Sequence, residues 1–255
     1  MISVKTAKEI ERMKKACSIS AKALWLGGQA VRPGITTKQL DKIMYDYIVK
    51  EGAKPSFLGY GGFSGTACIS VNDAVIHGIP GDLVINEGDI VSIDVGAQID
   101  GFHGDNAATF ACGAIAPEAK RLLMVTRESL HRGIAAALPG NRVGDIGAAV
   151  QTYVEENGFS VVRDFVGHGV GHHLHEEPEV PNFGHTGRGP RLVSGMTIAI
   201  EPMICAGNYA VKTLSDGWTV KTRDGSLAAH FEHSVAVTPQ GPLVLTGEWE
   251  EHYEL

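Results

Sequence analysis

Along the first fifty residues the apolar positions recur at helical intervals, first Ile10, Met13, Cys17, Ala21 and Leu24, then Leu40, Ile43, Met44, Tyr47 and Ile48. Thr6 is suited to cap the first helix, which is expected to run to about Leu26, with Gly27-Gly28 ending or interrupting it. Val31-Arg32-Pro33-Gly34 reads as a turn, Thr36 or Thr37 as the cap of the second helix, and Gly52 as its stop. Gly59-Tyr60-Gly61-Gly62 is a loop, Cys68-Ile69-Ser70-Val71 a short strand, and Asn72 to Pro80 a turn-like stretch carrying His77. From Val91 the pattern changes. Val91 to Ile99 is rich in β-branched residues, and Asp100-Gly101 is a strong signal for a two-residue hairpin turn. That turn sets Asp94 opposite Ala107 and puts Asp105 on the same face, a diagonal neighbour roughly 7–8 Å away.

A further helix opens at Pro117-Glu118 and carries Leu122, Leu123, Val125, Leu130 and Ile134 on its apolar side. After it the chain begins to repeat itself. Pro33-Gly34, Leu40, Tyr47-Ile48 and Gly52 return as Pro139-Gly140, Ile146, Tyr153-Val154 and Gly158, a constant offset of 106. Gly88, Val91 and Ile93-Asp94 return as Gly195, Ile198 and Ile200-Glu201 at an offset of 107. Two helices followed by strands, twice over, predict two related α+β halves, roughly 5–110 and 115–240, whose strands pair into one sheet system. Equivalent strands then end in Asp94 and Glu201, so each half aims a carboxylate at one central site. A last strand, Ser234 to Val237, is introduced by His230-Phe231-Glu232-His233.

Composition narrows the class. The chain has 255 residues, 44% of them hydrophobic, enough to bury a large core. Its formal charge of −7 gives no electrostatic basis for a nucleic-acid or anionic-membrane partner. Cys17, Cys68, Cys112 and Cys205 are scattered without a C-x-x-C pair, which points to free thiols in a reducing compartment. The N-terminal residues are charged throughout and no apolar run approaches the ~20 residues of a membrane span, so a cytoplasmic location is expected.

Asp94 sits within Val-Ser-Ile-Asp-Val, where a strand would not ordinarily place a charge. Two carboxylates sharing a face raise one another's pKa unless a cation lies between them, and hard divalent metals prefer oxygen ligands. A second anomaly is Asp164-Phe165-Val166-Gly167-His168-Gly169-Val170-Gly171-His172-His173-Leu174-His175-Glu176-Glu177-Pro178. Its glycines permit close approach, and a neutral imidazole joined to carboxylates is a usual metal-ligand mixture. The spacing admits His168, His172, His173 or His175 as the ligand.

Taken together, Asp94, Asp105 eleven residues on, His168 in Gly-His-Gly-x-Gly, Glu201 before proline, and Glu232 resemble the five metal ligands of the type I methionine aminopeptidases. The resemblance spans nearly the whole chain, including Cys68 to Asn72, His77-Gly78-Ile79-Pro80 and His175-Glu176-Glu177-Pro178, and it is closest to the minimal bacterial form. It implies the α+β pita-bread fold, in which an antiparallel sheet backed by helices forms two halves related by a pseudo-twofold, here as one catalytic domain over residues 1–255. It also implies two divalent ions, of Co, Mn, Fe(II) or Zn. Asp94 would chelate one ion, Asp105 and Glu232 would bridge both, and His168 with Glu201 would complete the other site.

By the same resemblance the activity is removal of the N-terminal methionine from nascent proteins and peptides whose second residue is small, near the ribosome; nothing in the sequence suggests more than a monomer. Glu201 would take a proton from the attacking water and pass it to the leaving amine, His175 would bond the scissile carbonyl oxygen, and His77 would contact the scissile nitrogen. Phe57, Tyr60, Phe63, Cys68, Leu174 and Trp218 fall at the positions of the methionine pocket. Two of them depart from the family's habit: position 57 commonly carries cysteine, and position 174 a larger aromatic residue. The nearest rival is an X-Pro aminopeptidase or prolidase, which usually has an additional N-terminal domain. Another is a metal-free pita-bread module that binds peptides, a class that has lost ligands which are all present here.

Overall fold

The computed structural model describes residues 2–253, so the ends of the 1–255 span lie outside the described residues. Helices α1 (Ala7–Ala30) and α2 (Thr37–Lys50) precede strands β1 (Lys54–Pro55), β2 (Ala67–Val71), β3 (Ala74–Ile76), β4 (Ile90–Ile99) and β5 (Phe102–Ala111). Helices α3 (Pro117–Ala136) and α4 (Val143–Glu156) then precede β6 (Ser160–Val161), β7 (Gly167–Gly169), β8 (Glu176–Val180), β9 (Thr197–Ile200) and β10 (Met203–Cys205). The chain closes with β11 (Val211–Thr213), β12 (Val220–Thr222), β13 (Ala228–His230), β14 (Glu232–Thr238) and β15 (Gly241–Val244).

Thr6 and Thr36 are the caps, each with a reciprocal bond to the third residue of its helix, Glu9 and Gln39. Helix α1 does not stop at Leu26. It runs through Gly27-Gly28 to Ala30, because these glycines are contact points: a Cβ on Gly28 would lie 2.2 Å from a Phe110 ring carbon, and one on Gly27 2.8 Å from Met44 Sδ. Close packing against the sheet and α2 outweighs the ~1 kcal/mol helix penalty of each glycine. The stretch around His77 is also less loose than expected, since β3 lies within it, and His77 itself adopts a left-handed φ of 59°.

Nine strands form the main antiparallel sheet in the order β1-β4-β5-β14-β9-β7-β8, with β2 added on β4 and β15 on β14. Two three-stranded sheets, β13-β10-β6 and β11-β12-β3, flank it. The seam β5–β14 joins strands from the two parts of the sequence, and matching devices recur on either side. Gly34 and Gly140 have φ of 87° and 97° and donate to Ile85 and Leu192 at 2.8 and 2.9 Å. Gly88 and Gly195, with φ of 91° and 97°, each donate at 2.8 Å, to Cys112 and Val237.

Strand alternation sorts the residues into two faces. Val91, Ile93 and Val95 of β4, with Ile198 and Ile200 of β9 and Val235 and Val237 of β14, join one core with Leu40, Met44 and Ile48 of α2 and with Leu122, Leu130, Ile146 and Val150 of α3 and α4. Each such side chain taken fully out of water contributes roughly 1.5–3 kcal/mol. The opposite face holds Asp94, Asp105, Ala107 and Glu232. Helix α1 lies so close to β5 that a Cβ on Gly104 would come within 2.5 Å of the Cys17 backbone, and the helix is tied there by Ser20, whose Oγ donates to Val95 O and accepts from Asn106.

That approach generates a prediction. Gly104→Ala pushes against helix backbone that cannot yield, and is expected to lower unfolding stability by about 3 kcal/mol. Gly81→Ala, where a Cβ meets nothing within 4 Å, serves as the control and is expected to change it by less than about 0.5 kcal/mol. Urea denaturation of both variants measures the difference.

Candidate active site

The site is built on register. Asp94 pairs with Ala107 across β4 and β5, as the hairpin turn predicts, and Ala107 pairs on its other side with Glu232 of β14. Cys68 of β2 pairs with Asp94, so Cys68, Asp94, Ala107 and Glu232 form one row across four strands. On β9, Ile200 pairs with His233, which brings Glu201 level with Glu232. Asp105, two residues before Ala107 on β5, projects from the same face.

His168 enters from β7. A Cβ on Gly167 would stand 2.4 Å from the Ala199 carbonyl oxygen and one on Gly169 2.4 Å from that of Glu177, so both glycines are needed for this short strand to lie between its neighbours. His168 Nδ1 is 2.9 Å from Gly169 O, and a carbonyl only accepts, so Nδ1 carries the proton and Nε2 presents its lone pair to the site. Nε2 stands 3.5 Å from Glu201 Oε1 and 3.8 Å from Asp105 Oδ2. Of the four clustered histidines, His172 instead turns to Gly101 O at 3.2 Å, His173 is exposed, and His175 packs its ring 4.2 Å from that of His168.

These groups open into one cavity of about 200 Å³. Asp94, Asp105, Glu201, Glu232 and His168 form its polar end, with His77 and His175 beside them. Phe57, Tyr60, Phe63, Cys68, Leu174 and Trp218 complete the lining, so the site residues marked by the family resemblance face this space, whereas His172 and His173 do not. Phe57, Phe63, Cys68 and Leu174 are buried together, and the Phe63 and Trp218 rings meet edge to face at 5.1 Å.

Four carboxyls in so small a space are electrostatically expensive. Burial, with the neighbouring charges, holds Asp94, Glu201 and Glu232 well above the usual carboxylate range, and burial raises Asp105 to about 7. Burial acts oppositely on the imidazoles, pushing His168 down to about 3 and His77 to about 4 and keeping both neutral. Asp94 Oδ1, Asp105 Oδ1 and Glu232 Oε1 are buried without a hydrogen-bond partner among the described residues. Ligand atoms of Asp105, His168 and Glu232 lie within 4.8 Å of one another. Orphaned carboxylate oxygens converging on a neutral imidazole lone pair are a donor set suited to a hard or borderline divalent cation.

Two residues near the site have no role assigned from the sequence. His230 is 1% exposed, both its ring nitrogens lack partners among the described residues, and Nε2 lies 3.6 Å from Glu201 Oε2. Its position two residues before Glu232 was the available signal, because alternate residues share a face. Phe165, which lies in the histidine-bearing stretch but has no role assigned there, meets the ring of His77 edge to face at 5.7 Å.

Residues 11–239 match the model of metallopeptidase family M24. The methionine aminopeptidase of Clostridium perfringens is 55% identical over 96% of this chain and 99% of its own. The crystal structure of methionine aminopeptidase from Thermotoga maritima superposes with a TM-score of 0.95 at 46% identity, covering 96% of this chain and 99% of that one. The prolidase of Pyrococcus furiosus gives a TM-score of 0.78 at 25% identity, and this chain spans 65% of its length. The fold is therefore the pita-bread fold of two pseudo-twofold related halves, and the chain belongs to the methionine aminopeptidases of metallopeptidase family M24.

The carboxylates give a pH prediction. A carboxyl raised from 3.8 to about 7 in the folded protein binds its proton more readily there than in the unfolded chain, so its contribution to stability is lost as pH rises through that window. Buried neutral His168 acts in the opposite sense, so the comparison must isolate Asp105. In chelator-treated protein, the stability of Asp105→Asn relative to wild type is expected to grow between about pH 4 and 7 and then level off. Added divalent metal reverses the order, since wild type gains more than the variant; thermal melts at a series of pH values measure both effects.

Proposed function

We propose that this chain removes the N-terminal methionine from nascent proteins and peptides whose second residue is small, with two divalent ions held by Asp94, Asp105, His168, Glu201 and Glu232. The observation that carries this reading is the cavity in which an apolar lining adjoins the orphaned carboxylates. In this reading Asp105 and Glu232 would be shared by both ions, Asp94 would be a ligand to one, and His168 with Glu201 would be ligands to the other. Mn, Fe(II), Co and Zn all suit oxygen and imidazole donors, and availability selects among them. When bound, such ions supply Lewis-acid polarisation of a carbonyl and acidify a water molecule at neutral pH.

The chain's own residues do the remaining work. Glu201, whose buried carboxyl has a raised affinity for protons, accepts one from the attacking water and returns it to the leaving amine. Neutral His175 donates to the scissile carbonyl oxygen as negative charge develops, a role for which one well-placed donor is worth about 10²–10³ in kcat. His77, held beside Trp218 and Phe165, faces the scissile nitrogen. Phe57, Tyr60, Phe63, Cys68, Leu174 and Trp218 surround the methionine side chain and exclude water from that end of the cavity.

Residues 1–255 act in this reading as one catalytic domain, a monomer working on nascent chains near the ribosome. The four free, buried cysteines favour the reducing cytoplasm.

Metal-reconstituted protein is expected to release methionine from Met-Ala-Ser peptides, to stop on addition of chelator, and to slow as the second residue is enlarged. Preferential cleavage of Ala-Pro peptides, or no turnover with any of the four metals, overturns the assignment. Glu201→Gln is expected to fold normally and to lose about 10²–10⁴-fold in kcat, and a wild-type rate in that variant removes Glu201 from the proton-transfer role.

A further inference from the structure

We propose that Tyr60 is a positioning residue that fixes the tautomer of His175, so that the Nε2–H of that ring is the one turned to the substrate. The inference rests on the reading of His175 as the donor to the scissile carbonyl oxygen and deepens it. Tyr60 Oη lies 2.7 Å from His175 Nδ1, and the two rings stand 5.1 Å apart, inclined at 42°.

A neutral imidazole has a single N–H, and what occupies one nitrogen decides what the other presents. His168 and His175, with rings 4.2 Å apart, are provided with opposite partners at the same atom. Nδ1 of His168 faces a backbone carbonyl, which only accepts, so its Nε2 is a lone pair directed at the carboxylates. Nδ1 of His175 faces a phenol, which can donate. With Tyr60 donating, the proton of His175 resides on Nε2 and the ring offers a donor where its neighbour offers a ligand atom. The surrounding charge selects the same direction. In the reverse arrangement the Nε2 lone pair would face a cavity that already contains Asp105, Glu201 and Glu232, whereas an N–H there is attracted to them.

The backbone of His175 is held from the other side. Glu176 forms a buried ion pair with Lys5, and its other oxygen accepts from His173 N at 3.0 Å. Main chain and ring are thus secured independently, and Tyr60 is the partner the structure provides for the ring nitrogen. Tyr60 sits on a turn whose glycines 59, 61 and 62 all have left-handed φ, between Phe57 and Phe63 of the apolar slot. The same turn therefore forms the side-chain pocket and orients the donor.

The test is the nitrogen-15 histidine spectrum of zinc-loaded protein, at a pH where the imidazole is neutral, with His175 assigned by its disappearance in His175→Gln. In wild type the His175 proton is expected on Nε2. In Tyr60→Phe, which keeps the ring and alters a residue 46% exposed, the two tautomers are expected to mix. The same variant should lose about 3- to 10-fold in kcat, the worth of one hydrogen bond, with KM for a methionyl peptide changed less than about twofold. A proton on Nδ1 in wild type, or an unchanged spectrum in Tyr60→Phe, overturns the proposal. Full turnover in His175→Gln instead removes His175 from the reaction, which separates failure of the underlying reading from failure of this one.

Discussion

Strand register is the constraint on which everything else in this molecule depends. Asp94, Ala107 and Glu232 lie side by side because β4, β5 and β14 are paired as they are, and their neighbours on the reverse face fill the core. With a side-chain period of two, a shift of one residue would exchange the faces, sending carboxylates into the apolar interior and Val91, Ile93 and Val95 into the cavity. The core therefore enforces the site: apolar burial on one face holds acids in place on the other. Ala107, between two acids in the row, contributes only a methyl group and leaves space for their carboxylates to converge.

This arrangement has an electrostatic cost that falls where the chemistry is. The fold presents oxygens it does not satisfy, on Asp94, Asp105 and Glu232, and neutral imidazoles near them. When ionised, those carboxyls repel one another unless cations compensate them, so the site is poorly matched to itself and well matched to metal. Order is imposed from outside the cavity. Ser234 bonds the backbone of Asp105 in both directions, with 3.1 Å to its N and 2.8 Å to its O. Thr109 does the same for His230, at 2.9 and 3.0 Å. Lys5 secures Glu176 beside the histidine loop. The reactive side chains have few partners of their own, while the main chain beneath them has many.

Much of this was legible because it is local or periodic. The Asp100-Gly101 turn fixes which residues face one another in β4 and β5, and the offset of 106 to 107 residues discloses the paired halves. Resemblance to a family then gathered Glu201, Glu232 and the apolar slot, which lie far apart in sequence. What could not be read depends on contacts made only in the folded chain. Gly27-Gly28 resembles a helix stop until Phe110 and Met44 are seen packed against it. Spacing leaves four candidates in the histidine cluster and the resemblance selects His168, but the ring orientation set by the Gly169 carbonyl is visible only in the fold. His230 occupied a position that strand alternation had already marked, but the break between β13 and β14 at Phe231 hid the continuity.

The ion pair between Lys5 and Glu176 also ties distant parts of the chain together. The two residues are separated by 171 positions, and their side chains are almost completely enclosed. Neither charge is suited to burial alone, because an ammonium or a carboxylate taken out of water without its partner is strongly unfavourable. The loop bearing His168 and His175 therefore depends on a residue that lies ahead of α1, and removing either partner strands the other charge next to it.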